Sequence, residues 1–148
     1  MKLKFDFNSI IELVRTFNTE TKCIKYLEKI RWNGDVVSPF DPESTVYKYK
    51  NNQYRCKNTG KNFNVKTGTL FENTKIKLQA WFTAIYLITN HKKGISSLQL
   101  SKDLNITQKT AWFLLYRIRN CYNINIEQLS NEVEIDETNL AFFQLYTA

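Results

Sequence analysis

SSLQLSKDLNITQKTAWFLLYRIRNCY, residues 96–122, is the stretch that decides the fold. Ser96 followed three residues on by Gln99 is a capping box, opening a short helix that ends near Leu104. Asn105 tolerates the left-handed conformation of a tight turn, and Thr107 is a good N-cap for a long helix to about Tyr122. In that helix Ala111, Leu114 or Leu115, Ile118 and Cys121 form the buried stripe. Gln108, Lys109, Phe113, Tyr116, Arg117 and Asn120 lie largely off it. Upstream, Leu78 to His91 is apolar with Trp81, Ile85 and Ile88 at helical spacing, and Gly94 breaks it. Three helices with a tight turn between the second and third read as a helix-turn-helix. Such a unit presents the start of its last helix, here Gln108, Lys109 and Thr110, to base edges. The plainer reading is a three-helix bundle with a solvated polar face. The short turn, the small Ser101 at the helix contact and the basic balance favour DNA.

Ahead of this unit the hydrophobic period changes twice. Ile10, Ile11, Leu13, Val14 and Phe17 recur at helical spacing after Asn8, a plausible N-cap. A second helix from Thr19 or Glu20 to Arg31 buries Cys23, Ile24, Leu27 and Ile30, so the pair reads as a helical hairpin ending at Trp32-Asn33-Gly34. From Val46 the period becomes two. Val46-Tyr47-Lys48-Tyr49-Lys50, Asn51-Asn52, Gln53-Tyr54-Arg55-Cys56 is a β-hairpin signature, because Asn accepts the positive φ of a type I′ turn. Pairing Lys50 with Gln53 sets Tyr49 opposite Tyr54 and Tyr47 opposite Cys56 on one face, with the lysines and Arg55 on the other. Phe63 and Val65 suggest a third strand, closed by Thr67-Gly68-Thr69.

Composition bounds the answer from outside. The chain has 148 residues, 21 Lys+Arg against 14 Asp+Glu for a net charge of +7, and 43% apolar residues including 10 Phe, 8 Tyr and 3 Trp. That much apolar surface excludes a disordered chain. The 4 Gly and 2 Pro exclude collagen-like and linker classes. The longest uncharged apolar stretch, between Lys77 and His91, is shorter than the roughly 20 residues that span a bilayer. The N-terminus carries no secretory h-region. Cys23, Cys56 and Cys121 are too few and scattered for a disulfide framework, which points to a reducing, cytoplasmic compartment. Charge is segregated. Residues 46–71 carry Lys48, Lys50, Arg55, Lys57, Lys61 and Lys66 with no acid, and residues 90–120 carry Lys92, Lys93, Lys102, Lys109, Arg117 and Arg119 against Asp103 alone. Residues 121–148 hold Glu127, Glu132, Glu134, Asp136 and Glu137 with no base. Basic blocks interleaved with Tyr and Phe fit a phosphate backbone.

Several of these segments together resemble bacterial insertion-sequence transposases of the zinc-ribbon type. They are Cys23-x-x-Tyr26-Leu27 with Arg31-Trp32, Tyr54-Arg55-Cys56-Lys57, and Phe63-x-Val65-x-Thr67-Gly68-Thr69-x-Phe71. Lys92-Lys93-Gly94-Ile95-Ser96-Ser97, Gln108-Lys109-Thr110-Ala111-Trp112 and Val133-Glu134-Ile135-Asp136-Glu137-Thr138 follow in the same order. The resemblance implies an α+β chain in four parts: an N-terminal helical segment (1–34), a zinc-ribbon-like β module (35–75), a helix-turn-helix (76–122) and the start of an RNase H-like, DDE-type catalytic domain (123–148). It makes Asp136 the first acid of the catalytic triad.

This chain departs from the family pattern twice. The two zinc knuckles fall on Ser38-Pro39-Phe40-Asp41 and Cys56-Lys57-Asn58-Thr59, so Ser38, Asp41 and Thr59 stand beside a single thiolate. A structural zinc site wants four good ligands. The expectation is a metal-free module with Val37, Phe40, Tyr47, Tyr49, Tyr54 and Cys56 as its substitute core. After Thr138 the sequence leaves the pattern, and the further acids that would join Asp136 are absent. The resulting expectation is the DNA-end-recognising part of a transposase, truncated and without catalysis or cofactor of its own, Mg²⁺ being expected only for a full-length relative. Its partner would be double-stranded DNA at terminal inverted repeats, and it could form an oligomer with full-length transposase; no membrane is involved. A bacterial chain of this kind would be nucleoid-associated when bound. Gln108, Lys109 and Thr110 would meet bases. Arg117, Arg119, Lys92 and Lys93 would meet phosphates, with Lys48, Lys50, Arg55 and Lys57 as a second backbone-gripping surface. The alternative is a stand-alone regulator that represses transposition by occupying element ends.

Overall fold

The computed structural model describes residues 2–3, 7–91, 94–129 and 143–144. The fold is α+β, in the order β1 (Lys2–Leu3), α1 (Ile10–Thr16), α2 (Glu20–Trp32), β2 (Val46–Lys48), β3 (Tyr54–Cys56), β4 (Asn62–Phe63), α3 (Leu78–Asn90), α4 (Ser97–Leu104), α5 (Gln108–Leu129) and β5 (Phe143–Gln144). β2, β3 and β4 form an antiparallel sheet in that order, and β1 pairs with β5. No described helix is long and apolar enough to cross a membrane.

α3 is the hub. Leu78, Trp81, Phe82, Ala84 and Ile85 are buried along it, and α1, α2, α4 and α5 all pack on it. Phe82 meets Phe17 at the end of α1 (ring centroids 4.9 Å apart), Tyr26 of α2 (5.9 Å) and Phe71 (6.0 Å). Trp81 meets Phe71 and Phe113 edge-on and donates its indole N–H to Thr74. On the far side of α2, Trp32 meets Tyr54 and Phe63 of the sheet. The N-terminal helices, the sheet and the C-terminal helical unit share one continuous apolar core.

Polar ties follow the same route. Arg31 of α2 donates to the Val65 carbonyl (2.8 Å), and the Tyr54 hydroxyl donates to Glu28 (2.9 Å). Lys77, the N-cap of α3, makes no side-chain cap bond. Glu20 supplies what is missing: one carboxylate oxygen accepts from the Leu78 amide (2.9 Å) and the other from Lys66 Nζ (3.1 Å). An acid at a helix N-terminus satisfies an orphan donor and complements the helix dipole.

Four local expectations need correction. Ser9, not Asn8, caps α1, its hydroxyl accepting from the Glu12 amide while Glu12 accepts from the Asn8 amide. Only Leu13 and Phe17 of the expected α1 stripe are buried, with Ile10, Ile11 and Val14 exposed, because α1 meets its neighbours along one narrow face. α5 continues past Tyr122 to Leu129, since no Gly or Pro interrupts that stretch. The largest correction is in the hairpin. Val46 faces Cys56, Tyr47 faces Arg55 and Lys48 faces Tyr54, one residue off the expected pairing. Tyr49 donates to the Gln53 carbonyl (2.8 Å), so Lys50 joins Asn51 and Asn52 in a three-residue loop. Both asparagines hold positive φ, 60° and 56°. A slip of one residue exchanges the two faces of a strand. Tyr47 and Tyr49 are accordingly exposed, as are Val37 and Phe40, and of the expected substitute core only Tyr54 and Cys56 are buried. Trp32 and Phe63 pack against Tyr54 instead.

Candidate functional site

Two features of the sheet and the helical unit bear on function: the paired loops around Cys56, and the outward face of α5.

The loops 38–44 and 56–61 are laced together. Ser38 Oγ accepts from the Phe40 and Asp41 amides (3.1 and 3.3 Å), and Ser44 Oγ accepts from the Asn58 amide (3.0 Å). The Asn58 side chain donates to Asp41 (2.7 Å), and the Lys57 amide to the Thr45 carbonyl (3.0 Å). Cys56 sits between them, fully buried. Burial on its own raises a thiol. Here hydrogen bonding to its sulfur from Ser38, from the Ser44 hydroxyl, which is shared with the Thr45 carbonyl (3.3 Å), and from the Thr59 hydroxyl and amide outweighs it and takes the thiol down to about 6. Ser38 and Thr59 thus gather about Cys56, with Asp41 held to Ser38 through its amide, but the four positions do not fit a structural zinc. Hydroxyl and amide donors occupy the ligand directions around one sulfur, and Asp41 is committed to Asn58 and the Glu43 amide. Among the described residues no cluster of three His, Cys, Asp or Glu could hold a metal ion. Ser44 had no signal in the sequence, lying outside both knuckles.

The folded thiol ionises near 6 and an unfolded one near 9.0, so folding favours the thiolate. Its stabilisation is complete above pH 9, shrinks as pH falls, and is gone below about 6. Burial pushes Cys23 the other way, to about 11, and raises Cys121 as well, so neither gains charge inside this window. The melting temperature of the native chain, relative to that of Cys56→Ser, is expected to climb between pH 6 and pH 9. A constant difference across that range contradicts the thiolate assignment.

In the helical unit, Ser96 caps α4 and accepts from the Gln99 amide (3.1 Å), whereas the Gln99 side chain turns to Asp103 (2.7 Å). Asn105 takes the left-handed conformation (φ 52°), and Thr107 accepts from the Thr110 amide (3.3 Å) to start α5. Ala111, Leu114, Leu115, Ile118 and Cys121 are buried. Gln108 and Lys109 are exposed at the start of the helix. Thr110 is half-buried, its hydroxyl sharing a hydrogen bond with Thr107 (2.8 Å). Arg117 stacks on Phe113 and donates to the Glu72 carbonyl (2.8 Å), and Arg119 donates to the Ile95 carbonyl (3.0 Å). Both arginines therefore tie α5 to the loops flanking α3.

The hairpin register parts the other basic residues. Lys48 lies over the Tyr54 ring (5.9 Å), whereas Arg55 shares the outer face with Tyr47. Lys50 and Lys57 are exposed in the loops at either end of β3. Lys92, Lys93 and Asp136 lie outside the described residues. The residue that sequence reasoning missed is Trp112. It is exposed and stacked on Tyr116, with ring centroids 5.4 Å apart and planes 11° from parallel. Its position one residue off the Ala111 stripe already carried that signal.

No family model and no solved structure matches the chain. Over 128 residues it is 30% identical to an uncharacterized protein in transposable element ISH50 of Halobacterium salinarum. The alignment covers 84% of this chain and 43% of that protein, so the chain spans less than half the length of the curated relative it matches. The likeness to a protein carried in a transposable element points to an insertion-sequence origin.

Proposed function

We propose that this chain is the DNA-end-recognising part of an insertion-sequence transposase, with α3, α4 and α5 acting as a helix-turn-helix. The observation that carries the reading is the start of α5. A turn of Asn105, Ile106 and Thr107 sets α5 against α4 and leaves Gln108 and Lys109 exposed at its first turn. That is the part of a recognition helix that meets base edges in the major groove. The likeness to a protein of a transposable element supports it. The net charge of +7 supports it too, because lysines and arginines neutralise phosphates and release counterions. Lys50 and Arg55 on the hairpin serve as backbone contacts, joined by Lys48 and Lys57. In a whole transposase, Asp136 would join further acids in holding the Mg²⁺ ions of phosphoryl transfer.

Binding to the element's terminal inverted repeat and to a scrambled duplex, measured across a salt series, tests the proposal. Gln108→Ala or Lys109→Ala is expected to weaken terminal-repeat binding by about 1–3 kcal/mol while changing scrambled-duplex binding much less. Lys50→Ala should weaken both alike and flatten the salt dependence. Folded variants at Gln108 and Lys109 that keep native terminal-repeat affinity would overturn the assignment.

A further inference from the structure

Trp112 and Tyr116 stand apart from the other large aromatic residues of the helices. Trp81 and Phe82 are fully buried and Trp32 nearly so, whereas Trp112 is 59% and Tyr116 53% exposed. Buried rings need no explanation, but a stacked, solvent-facing pair does. On α5 the two rings continue the row that begins at Gln108, since residues four apart on a helix are surface neighbours. Lys109 and Arg119, three residues before Trp112 and three after Tyr116, flank the pair, and α5 carries no acid from Gln108 to Cys121. An apolar slab whose own helix carries only positive and neutral polar groups beside it suits a partner that is negatively charged outside and apolar within. Duplex DNA is such a partner, because thymine presents its C5-methyl group in the major groove between the phosphate rails. We infer that the stacked Trp112–Tyr116 pair reads thymine methyl groups beside the bases met by Gln108 and Lys109.

The inference rests on α5 being the DNA-facing helix. A second copy of this chain fits the face less well. Two such rings bury at most ~400 Å², about half of what each partner contributes to a standard interface. Two copies would also bring like charges together. Prior stacking helps the reading role, since the rings already hold one arrangement and little rotamer freedom is lost on contact.

The test begins with duplexes selected by the chain from a random library. The best duplex is then remade with deoxyuridine in place of each thymine in turn, which removes only the methyl group. The native chain is expected to bind the substituted duplex about three- to fivefold more weakly at one or two positions, as loss of a buried methyl predicts. Trp112→Ala should bind the thymine duplex more weakly and treat the two duplexes alike at those positions. Gln108→Ala should still discriminate. Both substituted sites are exposed, so circular dichroism should show native folding for either variant. Equal affinity for thymine and deoxyuridine at every position overturns this inference and leaves DNA recognition standing. Failure to select any duplex overturns both. A concentration-dependent dimer that Trp112→Ala dissociates, seen in sedimentation without DNA, would show instead that the face is taken by a second copy.

Discussion

A chain carrying Ser38→Cys, Asp41→Cys and Thr59→Cys beside the native Cys56 is expected to take up one zinc ion and to melt at markedly higher temperature with zinc than with EDTA. The native chain should show neither response. The reason lies in the laced loops. Ser38 and Thr59 already direct their hydroxyls at the Cys56 sulfur, and Asp41 hangs from the amide that Ser38 accepts. Thiolates at those positions would face one another across the space that the hydroxyl protons now fill. Structural zinc in small thiolate sites binds with about 10–16 kcal/mol, and a ligand present at about a thousand times its dissociation constant stabilises the folded state by about 4 kcal/mol. Elemental analysis and paired melting curves decide the matter. Absence of zinc from the folded triple variant would mean that the loops do not hold zinc-knuckle geometry. One equivalent of zinc in the native chain, with a lower melting point in EDTA, would mean that the hydroxyl cage is no substitute for metal.

Phe82→Ala is the second large effect, expected to cost about 3–5 kcal/mol. Domains of this size are stable by only about 5–15 kcal/mol in total. Phe82 is fully buried where α1, α2, α3 and the Phe71 turn meet, and its removal takes ring contacts from Phe17, Tyr26 and Phe71 at once. Because the core is continuous, the sheet and helices should be lost in one transition. Near-ultraviolet signals from Trp32 beside the sheet would then fall together with the far-ultraviolet helix signal. Two separated transitions would show that the sheet stands on its own.

The helices were legible because their information is local. Ser96, Thr107 and Thr19 are caps by residue type, Asn33 and Asn105 end helices in the left-handed conformation, and the α5 stripe follows from spacing alone. The hairpin face was not legible, because both registers satisfy the alternating pattern. The choice turns on whether Lys50 pairs or loops out, which the hydrogen bond of Tyr49 to Gln53 decides and residue type does not. The lacing of the two knuckles was hidden for a related reason. Sequence shows which thiolates are missing, but not that Ser44, from outside either knuckle, joins the two loops by accepting from the Asn58 amide beside the remaining sulfur. The outward position of Trp112 was within reach, and hydrophobicity argued against seeing it.

The Glu20 cap also bears on how the chain is made. α3 is the most apolar helix of the fold, yet its first amide, that of Leu78, has no side-chain cap nearby and borrows an acceptor from 58 residues upstream. Chains emerge from the ribosome N-terminus first, and early segments begin to organise before late ones exist. The Glu20 segment has therefore left the ribosome before Leu78 appears, so the acceptor is already present when α3 docks. A fragment beginning at residue 35 lacks that acceptor along with Phe17 and Tyr26. It would present α3 with the Leu78 amide unpaired and an uncovered apolar flank.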